Sequence, residues 1–282
     1  MNKIAWVTDS TAFLDKELLN HPDVYSIPIT ILLDDKEYID GVDLSPNELY
    51  EKLKVLKNPP KTSQPSIGVF QNLYESLQDK YDLIISVLIS SKLSGTVSSS
   101  KQAAQMVKIP VITIDSKILT YPLTRLVKKG MELAEAGLNP EELKIELEQL
   151  RDTSETYVLI GSLEQLHRSG RLTGLQFFLG SMLSVKPIIS IVDGALLIKE
   201  KMRSERKAKD KIIKLLKEAH DRKPIKEVYI LFGLHDEEAL MLKEELSIVF
   251  PDIVFSIYPL GAAIGVHAGE NTLGISWYNG LL

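Results

Sequence analysis

Leu83-Ile84-Ile85-Ser86-Val87-Leu88, followed after Ile89 by Ser90-Ser91-Lys92-Leu93-Ser94-Gly95-Thr96, decides the fold class of this chain. An apolar run of this length bounded by polar residues reads as a strand buried on both faces, the pattern of a central parallel strand. The hydroxyl-rich corner after it leads into a helical pattern from Ser94 to Met106. Ile4 to Thr8 and Val111 to Ile114 repeat the buried-strand pattern on either side. Tyr25 to Leu33 reads as one further strand, turned by Asp34-Asp35 into Glu37 to Ile39.

Helical segments alternate with these strands. Ser45-Pro46-Asn47-Glu48 is a capping box with proline at the first helical position, opening a helix towards Lys57. Ser66 to Gln78 follows. Leu119 to Ala136 ends at Gly137, and Asn139-Pro140-Glu141-Glu142 caps a helix running to about Asp152. In the second half, Thr156 to Ile160, Pro187 to Val192, Ala195 to Lys199, Val228 to Phe232 and Ile253 to Tyr258 read as strands. Ser204 to His220 and Asp236 to Val249 read as helices. The alternation predicts an α/β protein of two α/β domains. Residues 1–153 form an open, mostly parallel sheet with flanking helices, and residues 154–282 form an α/β domain with a mixed sheet. The boundary falls in the polar stretch from Arg151 to Glu155.

The 282 residues are 44% hydrophobic and 25% charged, ordinary values for a globular chain. A formal charge of −5 excludes a protein that coats nucleic acid. The absence of cysteine removes disulfides, thiolate metal sites and a cysteine nucleophile, and fits a reducing cytoplasm. The first apolar stretch stops at Thr8-Asp9, too early for a signal peptide. The longest apolar region, Phe177 to Val192, is interrupted by Lys186-Pro187 and is too short to span a bilayer. A cytoplasmic protein, with at most transient membrane contact, is expected. One segment departs from the average: Lys199 to Lys226 carries twelve Lys or Arg against five Asp or Glu. It reads either as a solvated helix face with i,i+4 ion pairs or as a docking strip that begins at Lys201, Arg203, Arg206 and Lys207.

Standard catalytic signatures are missing. There is no GxGxxG after the first strand, no GxxxxGK[ST], no GxSxG and no HExxH. Five histidines are scattered without metal-ligand spacing. What remains is hydroxyl chemistry at strand ends: Thr8-Asp9-Ser10-Thr11, Ser90 to Thr96 and Asp115-Ser116, with Lys61-Thr62-Ser63-Gln64-Pro65-Ser66 as a fourth cluster. In an open α/β sheet such corners gather where ligands bind. Each alone is commonly a helix cap. Near the C-terminus, His267 stands among small residues in Gly261 to Gly269.

In their order, these motifs resemble the DegV family. The set comprises Thr8-Asp9-Ser10-Thr11-Ala12, Thr62-Ser63-Gln64-Pro65-Ser66, Ser90 to Thr96, Asp115-Ser116, Gly170-Arg171-Leu172, Lys186-Pro187-Ile188 and Gly265-Val266-His267-Ala268-Gly269. The resemblance implies a long-chain fatty acid held between two α/β domains, with no further cofactor. It implies that Thr62, Ser94 and His267 bind the carboxylate, with the Gly95 amide as an added donor. It also implies an apolar acyl tunnel in the C-terminal domain, for which Phe177, Phe178, Leu179, Met182 and Ile264 are the candidates. The protein would be a binding subunit rather than an enzyme, monomeric on its own. A separate ATP-dependent fatty acid kinase would phosphorylate the presented carboxylate to an acyl phosphate, engaged by Arg171 and Arg203.

Two departures from the family pattern stand out: Glu270-Asn271 follows Gly269 where Gly-Pro-Gly is usual, and bulky Ile118 to Pro122 replaces glycines after Asp115-Ser116. Burying the fourteen methylenes of a C16 chain at ~0.8 kcal/mol each is worth about 11 kcal/mol, so the tail sets affinity and the polar cluster sets orientation. That cluster reads as donors with no fixed lysine or arginine beside it. Two other functions stay open: a Ser–His acyl hydrolase or transferase using Ser94 and His267, and a nucleic-acid or regulatory module using the basic strip.

Overall fold

The computed structural model describes residues 3–172 and 185–281. β1 (Ile4–Asp9) leads through α1 (Lys16–Leu19) to β2 (Val24–Ile27), and the two strands pair in parallel. β3 (Thr30–Leu33) and β4 (Lys36–Ile39) form a hairpin. After α2 (Pro46–Leu53), the short β5 (Lys61–Ser63) joins them in a separate antiparallel sheet ordered β4-β3-β5. α3 (Ile67–Leu77), β6 (Leu83–Leu88), α4 (Thr96–Ala104) and β7 (Val111–Asp115) complete the parallel sheet in the order β2-β1-β6-β7. Every residue of β6 is buried, as its unbroken apolar run requires. α5 (Thr120–Glu135) and α6 (Pro140–Arg151) end the first half. α2 begins with the capping box read from the sequence, and α6 with the expected Asn139 cap, which Glu142 completes into a second box.

The second half is built on one mixed sheet. Its elements are β8 (Ser154–Leu159), α7 (Leu163–Arg168), β9 (Lys186–Val192), β10 (Ala195–Met202), α8 (Glu205–Arg222), β11 (Glu227–Phe232), α9 (Glu237–Val249), β12 (Val254–Pro259), α10 (Ala262–Ala268) and β13 (Leu273–Tyr278). The strand order is β10-β9-β8-β13-β11-β12. One face packs on α8 and α9 through Ile188, Ile212, Leu216, Leu246 and Trp277. The other turns towards the first half, where Tyr229, Leu231 and Tyr278 share a core with Leu123 and Leu126 of α5.

Several expectations are corrected. Tyr25 to Leu33 is not one strand. It breaks at Pro28, which has no N–H to continue a ladder, so β2 stays in the parallel sheet and β3 enters the antiparallel one. The Ile29 N–H is satisfied by the Ser10 hydroxyl at 2.9 Å. Lys61–Ser63, read as a loop, is β5; three polar residues carry no periodicity to detect. Gly261 to Gly269, where the glycines suggest tight turns or close ligand approach, contains α10. Its small residues permit close approach to α2: a Cβ on Gly265 would stand 2.6 Å from Tyr50 Oη. β13, not anticipated at all, lies inside the mixed sheet with every residue buried.

Candidate functional site

In the first strand corner Thr11 lines the cavity, while Asp9 is structural. Asp9 is fully buried, and its Oδ2 accepts the Ile89 N–H at 2.7 Å while Oδ1 accepts from the Thr11 N–H and hydroxyl. This carboxylate fastens the end of β1 to the end of β6, and burial pushes its pKa up. The corners so fixed face α10 and the mixed sheet across a cavity with about 960 Å³ of empty space, mouth included. Its walls are mostly aliphatic: Ile89, Leu93 and Ile118 from the first half, and Val158, Ile191, Leu196, Leu231 and Ile264 from the second.

Polar side chains also line the cavity: Thr62, Gln64, Ser94, Arg171 and His267, together with Thr11, Thr120, Thr156 and Thr272. β5 supplies Thr62 and α10 supplies His267, and Thr62 Oγ1 lies 2.8 Å from His267 Nε2. Burial, then the nearby Arg171 charge, pulls the His267 pKa down to about 4. The ring is therefore neutral at pH 7, with one nitrogen donating and the other accepting. Its Nδ1 is buried with no hydrogen-bond partner among the described residues. The Thr62–His267 pair holds two polar hydrogens and uses one between its members. In either tautomer a second donor is left over. Ser94 Oγ lies 2.8 Å from Thr96 Oγ1 at the start of α4. Gly95 is the N-cap of that helix, and a Cβ there would stand 3.0 Å from the Gln64 side chain of the cavity wall.

Arg171 changes the electrostatics expected of this site. The sequence reading put no cation beside the donors and assigned Arg171 to a partner. In the fold Arg171 is half-buried, lines the cavity, and points its Nε at the Leu93 carbonyl 3.4 Å away. Burial lowers its pKa. Nothing local could reveal this. A turn at Gly170, with φ +70°, precedes Arg171, and the segment it reaches is 78 residues distant. Gln64, quoted within its motif but given no role, also lines the wall.

Of the other expected residues, Ile264 lines the cavity. Phe177, Phe178, Leu179 and Met182 lie outside the described residues. Arg203 is exposed between β10 and α8, and Arg206 and Lys207 are exposed in the first turn of α8. Much of the basic strip beyond them is ion-paired, as in Lys209 with Glu205 and Glu238, Lys211 with Glu200, and Lys217 with Asp221.

Both departures from the family pattern find physical settings. Ile118, Leu119 and Thr120 line the cavity, but Tyr121 stacks on Tyr258 with centroids 3.5 Å apart. After α10, Gly269 adopts φ +85°, and the loop is pinned by Leu234 N–H to Glu270 O at 2.8 Å and Ser162 N–H to Ala268 O at 2.9 Å. His267 is thus held without the usual glycines. Among the described residues no cluster of three metal-ligand side chains occurs, and no helix is long and apolar enough to cross a membrane.

Comparison with known proteins gives this architecture relatives. Protein DegV of Bacillus subtilis is 37% identical over 276 residues, covering 97% of this chain and 98% of its own. The crystal structure of DegV, a fatty acid binding protein from Bacillus subtilis, superposes with a TM-score of 0.90 at 36% identity, covering 99% of this chain and 100% of that one. The fold also matches the Streptococcus pneumoniae Fatty Acid Kinase B3 protein, solved loaded with linoleic acid. There the TM-score is 0.85 at 20% identity, covering 98% of this chain and 99% of that one. A family model described as "Uncharacterised protein, DegV family" matches residues 3–280, and the chain belongs to the DegV family.

Proposed function

We propose that this protein binds one long-chain fatty acid in the cavity between residues 1–153 and residues 154–282. Its carboxylate lies against Thr62, Ser94 and His267, and the Gly95 amide adds a donor. The observation that carries this reading is one cavity with mostly aliphatic walls that also holds the Thr62–His267 pair, a neutral imidazole with the Arg171 guanidinium near it, and the Ser94 hydroxyl. A carboxylate leaving water costs several kcal/mol unless hydrogen-bonded, and those donors offset the cost. The aliphatic wall supplies the affinity. Arg171 balances the charge, which no hydroxyl can do.

The finer reading is a carrier that works in the cytoplasm, as a monomer until it meets a separate ATP-dependent fatty acid kinase. The kinase phosphorylates the presented carboxylate, and exposed Arg203 marks the docking face. A hydrolase reading is weaker. Ser94 pairs with Thr96 and His267 with Thr62, and no carboxylate orients His267 Nδ1 among the described residues.

Native mass spectrometry of the freshly purified protein, followed by lipid identification, tests the binding. A bound mass in the C14–C20 fatty-acid range is expected. An unliganded mass with no uptake of added fatty acid refutes it. Burst release from an activated acyl ester that vanishes in Ser94→Ala would favour the hydrolase.

A further inference from the structure

The three-stranded sheet grips α10 at two points. At the helix's far end Thr62 of β5 meets His267. At its near end Asp40, just after β4, accepts the Ala263 N–H on Oδ1 at 3.1 Å and the Ser10 hydroxyl on Oδ2 at 2.7 Å. Ser10 is itself held by the Ile29 N–H. α10 has no side-chain cap of its own, since its N-cap is Gly261. Between the two grips, Ala262, Ala263 and Val266 pack against Ile31, Leu44 and Leu49 in one apolar cluster. The helix that carries His267 is therefore seated on a sheet more than two hundred residues away in sequence.

Asp40 is an expensive way to seat a helix. It is only 4% exposed, and no cation pairs with it among the described residues. A buried carboxylate without a counter-ion is strongly disfavoured. An apolar contact would hold α10 more cheaply but would not fix its register, because apolar contacts are non-directional. Two directed bonds from one planar group do fix it.

We propose that Asp40 is a positioning residue for the carboxylate site, setting through α10 where His267 meets Thr62. This rests on the carboxylate-binding reading above, and extends the site to a residue that does not line the cavity. With Asp40 gone, the first turn of α10 loses its tether and His267 drifts from Thr62. A displacement of this kind costs the acid and spares a ligand that makes no use of the carboxylate hook.

The experiment compares Asp40→Ala, Asp40→Asn and Ser10→Ala for two quantities. One is the affinity ratio of palmitic acid over its methyl ester. The other is the His267 titration midpoint by NMR in the unliganded protein. Asp40→Ala is expected to lower the acid-over-ester ratio about tenfold, the equivalent of one lost hydrogen bond to a charged group. It is also expected to move the His267 midpoint upwards as water reaches the ring. Asp40→Asn, which can accept from Ala263 and donate to Ser10, should restore both. Ser10→Ala should move both in the same direction by less, and stands in if Asp40→Ala does not fold. A fall in melting temperature with both readouts unchanged overturns the proposal. If the wild-type protein takes up no fatty acid, the binding reading fails, and the His267 midpoint still decides whether Asp40 positions the ring.

Discussion

Thr62→Val is the most direct test of the carboxylate hook. Valine keeps the shape and suits a strand, so β5 should persist. The substitution deletes one hydroxyl 2.8 Å from His267 Nε2. In the unliganded protein the half-buried imidazole loses its partner, a cost of ~1–3 kcal/mol in stability. That cost is present before and after binding, and cancels from the affinity. What remains is the loss of one hydrogen bond to an ionised carboxylate, ~1.5–3 kcal/mol, or roughly 10–150-fold in Kd. The methyl ester, which carries no charge, should weaken by about threefold or less. Displacement of a fluorescent fatty acid by palmitic acid and by methyl palmitate measures both. Equal weakening of the two ligands, or an unchanged affinity for the acid, would refute the assignment of Thr62 to the carboxylate.

Three further outcomes are expected. His267 has a folded pKa of about 4 against an ordinary 6.5, so the unfolded chain binds more protons between those values and stability falls as pH drops through that window. Burial raises the Asp40 carboxyl pKa to about 6, which tilts stability the other way over much of the same window, so the His267 contribution is the difference between wild type and His267→Gln: chemical denaturation across pH should show that difference change by up to about 3 kcal/mol. Arg171→Gln should raise the His267 midpoint while leaving it below 6.5, since burial is the larger cause; NMR titration showing no movement would remove Arg171 from the ring's surroundings. Gly265→Ala should destabilise by about 1–3 kcal/mol, because its Cβ meets Tyr50 Oη at 2.6 Å and Leu49 Cδ2 at 3.2 Å; an unchanged melt would mean that α2 and α10 can separate freely.

Period and capping carried most of the architecture. The short unbroken run at Leu83–Leu88, bounded by polar residues, read as a central strand, and the caps at Ser45 and Asn139 marked helix starts. The chain also displayed its candidate site residues in recognisable order, because hydroxyls at strand ends and a histidine among glycines are local patterns. Other features had no local sign. The single strand read over Tyr25 to Leu33 passed over the break at Pro28, and nothing local showed that the two pieces enter different sheets. Helical period could not be read in Ala262–Ala268, since small residues give too little contrast between faces.

The sequence by itself determined the α/β class, the helix starts and the chemistry available at the strand ends. Only the tertiary structure decided which of those groups meet. Thr62 and His267 are 205 residues apart, and Asp40 and Ala263 are 223 apart. Their contacts depend on how α10 packs across the two halves. The same packing turned Arg171 from a surface charge into part of the cavity and depressed His267. Local pattern fixes backbone geometry within a few residues. Burial and electrostatic neighbours are properties of the packed whole.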